Sequence, residues 1–172
     1  MTSQVKDVLL DVGGLYFGAG RTRVRTLLGS CISITLWHPQ RRIGGMCHFM
    51  LPCATPGSPT PSSPGLYADG ALRLFLEEIE KIGTHPREYI VKLFGGGSMF
   101  AQAPAPTEAD GAERSWRSDI CDRNVRVGRE LLSAQGFSIT SEDVGGKGSR
   151  EVIFEIWSGD AWVARGPELP PR

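Results

Sequence analysis

The clearest pattern along the chain is a strict alternation: Ile32, Ile34 and Leu36 are interleaved with Ser33, Thr35 and Trp37, the period-two signature of a half-buried strand. Residues 23–28 before it are extended in character, and Cys31 heads the strand directly after Gly29-Ser30. His38-Pro39-Gln40-Arg41-Arg42 reads as a turn, and the apolar run over 43–51 predicts a returning strand that pairs with the first as a hairpin and carries His48. Four prolines among small polar residues make 53–65 a loop, since proline supplies no amide donor and breaks both helix and central strand.

Over 66–82 the spacing changes to threes and fours: Ala68, Ala71, Leu72, Phe75, Ile79 and Ile82 form one stripe, Glu77, Glu78 and Lys81 fall off it, and Gly83 follows as a C-terminal cap. Residues 90–94 predict a short strand running into Gly95-Gly96-Gly97, where missing Cβ atoms permit a sharp turn or a close approach. Residues 101–112 show no period, and the stretch 101–118 reads as an insertion within the domain. Asp119 is placed to cap a second helix running to about Gln135, with Gly136 beyond its end. Strands are expected over 137–143, 151–157 and 160–165, the last two joined by a tight turn at Ser158-Gly159. Strands outnumber helices without alternating regularly with them. The expected fold is therefore a single α+β domain over 1–172, with mixed or antiparallel β-sheets whose faces are covered by two main helices.

Composition narrows the classes of function. A chain of 172 residues, 40% hydrophobic and 22% charged, has the length and makeup of one ordinary globular domain. Lys plus Arg equals Asp plus Glu at 19 each, so no net positive field exists to hold nucleic acid or an anionic membrane. The first residues lack the apolar run of a secretion signal and no stretch is long enough to span a bilayer, so a cytoplasmic protein without membrane insertion is expected. Cys31, Cys47, Cys53 and Cys121 form no CxxC pair and read as free thiols rather than a disulfide framework.

The chemistry of greatest interest centres on Cys31. A thiol becomes a nucleophile when a base or a cluster of amide dipoles stabilises its thiolate, and Gly29-Ser30 offer a backbone able to aim N–H groups at one point. Those groups would also bind the oxyanion formed when sulfur attacks an amide carbonyl. If the hairpin forms across 38–42, His48 comes within reach of Cys31 as general base, with register deciding the geometry. His38 and His85, each followed by proline, read as turn residues. The Cys and His spacings lack the pairing that marks zinc sites, and the triple glycine is followed by Ser98-Met99 rather than the Lys-Ser/Thr of a phosphate loop. Neither a metal nor an organic cofactor is expected.

Five blocks together carry a resemblance: TLLGSC at 26–31, GGMCHFMLP at 44–52, PGLYAD at 64–69, KLFGGGSMF at 92–100, and DRNV at 122–125 with EDVGG at 142–146. In this order they resemble the CheD family, the chemoreceptor glutamine deamidases of bacterial chemotaxis. The resemblance implies a fold similar to the catalytic domain of the cytotoxic necrotizing factors. It implies conversion of glutamine side chains to glutamate on methyl-accepting chemotaxis receptors, with Cys31 as nucleophile, His48 as base, and Thr26 as the nearest candidate for a third member. The substrate would be a glutamine on a helical receptor bundle, met by an open groove that the 53–65 loop could border. A CheC-type phosphatase is implied as a further partner, and with it a rival reading as a non-catalytic binding module. A thiol redox sensor built on Cys31, Cys47 and Cys53 is a third reading. The sequence departs from the family pattern at Cys47, where asparagine is common and which adjoins the base, at Cys121, where glycine is usual, and in the length of 101–118.

Overall fold

A computed structural model describes residues 4–99 and 108–166, with side chains of the second segment described from residue 120 onward. Among the described residues nine strands form two sheets. The four-stranded sheet has the order β1 (Lys6–Leu9), β3 (Thr22–Leu28), β8 (Arg150–Glu155), β9 (Ala161–Arg165). The five-stranded sheet has the order β2 (Leu15–Ala19), β5 (Ile43–Cys47), β4 (Ile32–His38), β6 (Ile90–Gly95), β7 (Ile139–Val144). β1 and β3 are parallel, as are β6 and β7, and the remaining neighbours are antiparallel, so both sheets are mixed as expected.

Alternation along the strands sorts side chains into two cores. Ile32, Ile34, Leu36, Val91 and Leu93 turn to one face of the larger sheet, where they meet Ala71, Leu72 and Phe75 of α1 (Ala68–Lys81) and Val125 and Leu132 of α2 (Glu108–Ala134). The opposite face contributes Met46 and Phe94 to a second core with Val24, Leu28, Val152 and Phe154 of the smaller sheet. The order of layers is thus small sheet, large sheet, helices. Both helices share the same outer face of the large sheet instead of covering several faces.

The hairpin of β4 and β5 and helix α1 agree with the sequence reading, and Gly83 follows α1 at φ +67° as its cap. Several boundaries differ. β5 ends at Cys47 rather than 51: one further bridge joins Phe49 to Ile32, and the chain then leaves the ladder, with Met50 and Leu51 both donating to the Leu66 carbonyl. α2 begins at Glu108, eleven residues before Asp119, so 108–118 of the expected insertion is helical; residues 101–107 lie outside the described residues. Asp119 could not act as an N-cap there, because helical turns precede it. β6 ends at Gly95, β7 starts at Ile139, and β8 ends at Glu155, so the turn into β9 is longer than Ser158-Gly159. The strands β1 and β2 were not expected. Among the described residues no helix is long and apolar enough to cross a membrane.

Candidate functional site

Three polar positions meet at one end of the seam between the sheets. In β3, Thr22, Val24, Thr26 and Leu28 face inward, which buries the Thr26 hydroxyl (1% exposed). On the large sheet the register Thr35↔Met46 continues to a bridge between Ile32 and Phe49, so Ser33 stands opposite His48 and Cys31 opposite Met50. Cys31 and His48 therefore lie on the same seam face, on either side of the Ile32–Phe49 bridge. Cys31 is half-buried and His48 is 3% exposed.

The hydrogen bonds fix the tautomer of His48. Thr26 Oγ1 lies 2.7 Å from the Leu10 carbonyl and 2.7 Å from His48 Nδ1. A carbonyl only accepts, so the single hydroxyl proton goes to Leu10, and His48 must donate from Nδ1 to Thr26. That leaves Nε2 as an unprotonated acceptor, and no protein group bonds it among the described residues. Strand β1 supports the chain of bonds at its far end, since Leu10 N–H donates to the Arg25 carbonyl at 2.8 Å. His48 is also held through its backbone: its N–H donates to Gly14 and its carbonyl accepts from Gly13, whose own carbonyl accepts from Ser63 at the end of the Pro-rich loop.

The segment carrying Cys31 is held from behind. The Gly29 carbonyl accepts from Gly97 N–H at 2.8 Å, the Ser30 carbonyl from Asn124 Nδ2 at 3.2 Å, and the Cys31 carbonyl from Gly96 N–H at 2.9 Å. A trans peptide points its N–H opposite to its C=O, so the Ser30 amide is turned away from the glycine loop and the Cys31 amide away from Asn124 of α2. The triple glycine makes this possible. Gly95 and Gly96 have φ of +115° and +65°, and a Cβ on Gly95 would collide with the Cys31 carbonyl while one on Gly96 would strike Val125 of α2.

Burial, then the neighbouring Cys121 thiol, push the Cys31 thiol above its ordinary range. Burial also lowers His48 below its ordinary value of 6.5, opposed weakly by the Leu10 carbonyl and Asp11. Cys31 accordingly rests as a neutral thiol and His48 as a neutral imidazole. This has a consequence for stability: below pH about 6.5 an unfolded His48 takes up a proton that the folded one refuses, so stability is present above that pH and is lost as pH falls toward the lowered folded value. Urea midpoints measured between pH 8 and pH 5 should decline over that window, and His48→Asn should flatten part of the decline.

Of the remaining sequence candidates, Cys47 turns to the helix face of its strand, is fully buried and has its thiol pushed up to about 12 by that burial; although adjacent in sequence, it points away from His48. Cys53 lies in the Pro-rich loop. Cys121 is buried with its sulfur 3.6 Å from the Gly97 carbonyl, on the far side of the loop that holds Cys31. His38 is no mere turn residue: it is 2% exposed, packs edge-on against Tyr89 and lies 3.6 Å from Glu88. Sequence reasoning missed Asn124 and Arg150. Arg150 is 1% exposed, pairs with Asp143 and the Gly145 carbonyl, and lies beside Gly97. A polar residue on the buried stripe Cys121, Val125, Gly128 and Leu132 was the available signal for Asn124.

Comparison with known proteins gives the family. A family profile described as CheD chemotactic sensory transduction matches residues 50–165, a span that includes α1, the glycine loop and α2 but neither Cys31 nor His48. A protein of Dechloromonas aromatica named probable chemoreceptor glutamine deamidase CheD 3 is 44% identical over 94% of this chain and 89% of its own length. One of Pseudomonas fluorescens, named probable chemoreceptor glutamine deamidase CheD, is 44% identical over 94% of this chain and 85% of its own. Among solved structures, the hypothetical protein YfiH of Bacillus licheniformis aligns over 70% of this chain and 45% of that chain with 11% identity and a TM-score of 0.38, a likeness too slight to carry an argument. The profile matches about two thirds of the chain and the relatives align over 94% of it, and the chain belongs to the CheD family.

Proposed function

We propose that this protein is a protein-glutamine glutaminase that deamidates glutamine side chains of methyl-accepting chemotaxis receptors, with Cys31 as nucleophile, His48 as general base and Thr26 as the residue that orients the base. The relatives' names supply the reaction class and the substrate class. The observation that carries the assignment of roles is the 2.7 Å contact of Thr26 with His48 Nδ1, which leaves Nε2 free on the face shared with Cys31.

The steps follow from the protonation states. Cys31 Sγ attacks the carbonyl carbon of the glutamine side chain while His48 Nε2 takes the thiol proton. The oxyanion is met by the backbone amides of the Gly29-Ser30-Cys31 segment, whose carbonyls are engaged on the opposite side. The C–N bond breaks as His48 returns its proton to the departing ammonia. Water, deprotonated by His48, then attacks the thioester, the C–S bond breaks, and glutamate and free thiol result. A raised thiol and a lowered imidazole favour proton transfer during attack over a preformed ion pair.

The reading also takes the whole chain as one deamidase domain, similar in fold to the cytotoxic necrotizing factor catalytic domain and working in the cytoplasm. The end of the 53–65 loop is tied to His48 through Ser63 and Gly13, which suits that loop to border a groove for a receptor helix. A CheC-type phosphatase is a second proposed partner, checked by co-sedimentation of the two purified proteins.

The test of the roles is covalent. Acid-quenched reactions with a receptor cytoplasmic fragment should contain a minor species in which fragment and enzyme are joined by a linkage that neutral hydroxylamine cleaves, absent from Cys31→Ala. A linkage that survives hydroxylamine, or one that forms in Cys31→Ala, overturns the assignment. Thr26→Val keeps shape but removes both hydrogen bonds, and should lower kcat about a hundredfold, at the low end of what a general base contributes. Its KM should stay near wild type.

A further inference from the structure

The antiparallel ladder joining the two segments of the site ends one residue short of Cys31. Ile32 and Phe49 exchange both backbone hydrogen bonds, at 3.0 and 2.9 Å. Beyond that pair the strands part: Met50 and Leu51 turn their amides to Leu66, while 29–31 bends toward the glycine loop. The gap is bridged by one side chain. Asn124 of α2 is 0% exposed and donates from Nδ2 to the Ser30 carbonyl at 3.2 Å and to the Met50 carbonyl at 2.9 Å. Two acceptor carbonyls leave no choice about the amide's orientation, because only the NH₂ end can face both.

We infer that Asn124 is a positioning residue for deamidation, clamping the segment that carries Cys31 to the strand that carries His48. The inference rests on the proposed roles of those two residues. One bond is to the residue immediately before the nucleophile, and the other is to the residue two beyond the base and directly across from Cys31. No other amino acid fits that place as well. Asp is nearly isosteric, but its ionised form would set a carboxylate oxygen against two carbonyls, and its neutral form has one proton for two acceptors. Ala leaves both carbonyls unpaired, and Gln carries the amide too far by one methylene. The close approach of α2 depends on Gly96, where any side chain would meet Val125, so glycine loop and asparagine form one device.

A misplacement of reacting groups by about 1 Å can cost on the order of a hundredfold in rate, and that is the scale expected here. Asn124→Asp and Asn124→Ala should lower kcat for deamidation of a receptor cytoplasmic fragment by about 10- to 100-fold with KM within about twofold, measured well below each variant's melting temperature. The rate of Cys31 alkylation by iodoacetamide should change its pH dependence in the same variants, because sulfur and imidazole no longer hold a fixed separation. Leu132→Val, a packing change farther along the same buried stripe, should lower Tm while leaving kcat and the alkylation profile unchanged. Folded Asn124→Asp or Asn124→Ala protein with wild-type kcat and alkylation profile overturns the inference, as does a loss of kcat in Leu132→Val proportional to its loss of Tm. Should Asn124→Ala not fold, the near-isosteric Asn124→Asp decides alone. Cys31→Ala runs alongside: its retaining activity would remove the underlying roles, a result distinct from wild-type behaviour of the Asn124 variants beside an inactive Cys31→Ala.

Discussion

Cys31→Ala is expected to leave every receptor glutamine unconverted, with turnover reduced by more than about 10⁴-fold, within the range seen when a covalent nucleophile is deleted. Mass spectrometry of receptor peptides reads this directly, since each amide converted to acid changes the peptide's mass. His48→Ala should fall nearly as far. The two groups serve one proton transfer, so the double variant should be no slower than the worse single one, whereas independent contributions would multiply. Because Cys31 is only half-buried and alanine fills most of its space, its loss of activity should come without a matching loss of stability. A Cys31→Ala protein that deamidates at more than a few per cent of the wild-type rate would place the nucleophile elsewhere, and Cys121 of α2, whose thiol acts on that of Cys31, would be the first alternative to examine.

The largest effect on stability should come from Asp143→Ala. Arg150 is 1% exposed, and its guanidinium is held by the Asp143 carboxylate and by the backbone carbonyls of Asp143 and Gly145. Removing the carboxylate leaves a cation in the interior with neutral partners only, a change that destabilises by about 3 kcal/mol or more. For a domain of this length the corresponding fall in Tm is roughly 6–12 °C, measurable by thermal unfolding. Glu142→Gln provides the contrast: its 2.6 Å pair with Arg129 lies at the surface with the arginine half exposed, so its loss should change stability by less than about 1 kcal/mol. Equal effects of the two substitutions would show that Arg150 is better solvated than its burial implies.

Where the physics was local, the sequence disclosed it. The Ile32, Ile34, Leu36 alternation located β4, but the strand is not half-buried: its apolar face lies under the helices and its Ser33 and Thr35 face is buried in the seam between the sheets. The α1 stripe was visible because a single helix face packs on the sheet. β1 and β2 left weaker traces for a physical reason: both are edge strands, three of the four residues of β1 are exposed, and β2 is only half-buried, so neither required an alternating apolar pattern. Thr26 shows the limit most clearly. It stands five positions before Cys31, an odd offset that on one continuous strand would put them on opposite faces. They are not on one strand. The chain passes from the small sheet to the large one at Gly29-Ser30, and inward-facing residues of both sheets then confront each other across the seam. Asn124 was hidden for another reason, since its partners are backbone carbonyls distant in sequence, and Arg150 because its partners, the Asp143 carboxylate and the carbonyls of Asp143 and Gly145, follow no periodic pattern.

The glycine loop has a further consequence for how this protein is made. Thr26, Cys31 and His48 all lie in the first third of the chain, but the carbonyls around Cys31 are tied down by Gly96 and Gly97, and the Gly97 region is backed by Arg150. During synthesis from the N-terminus, the nucleophile therefore emerges from the ribosome well before its supports. Contacts of such long sequence separation form late in folding. A nascent chain that has exposed only about half its length carries Cys31 without the framework that aims it, so the proposed deamidase becomes competent near the end of translation rather than when Thr26, Cys31 and His48 first appear.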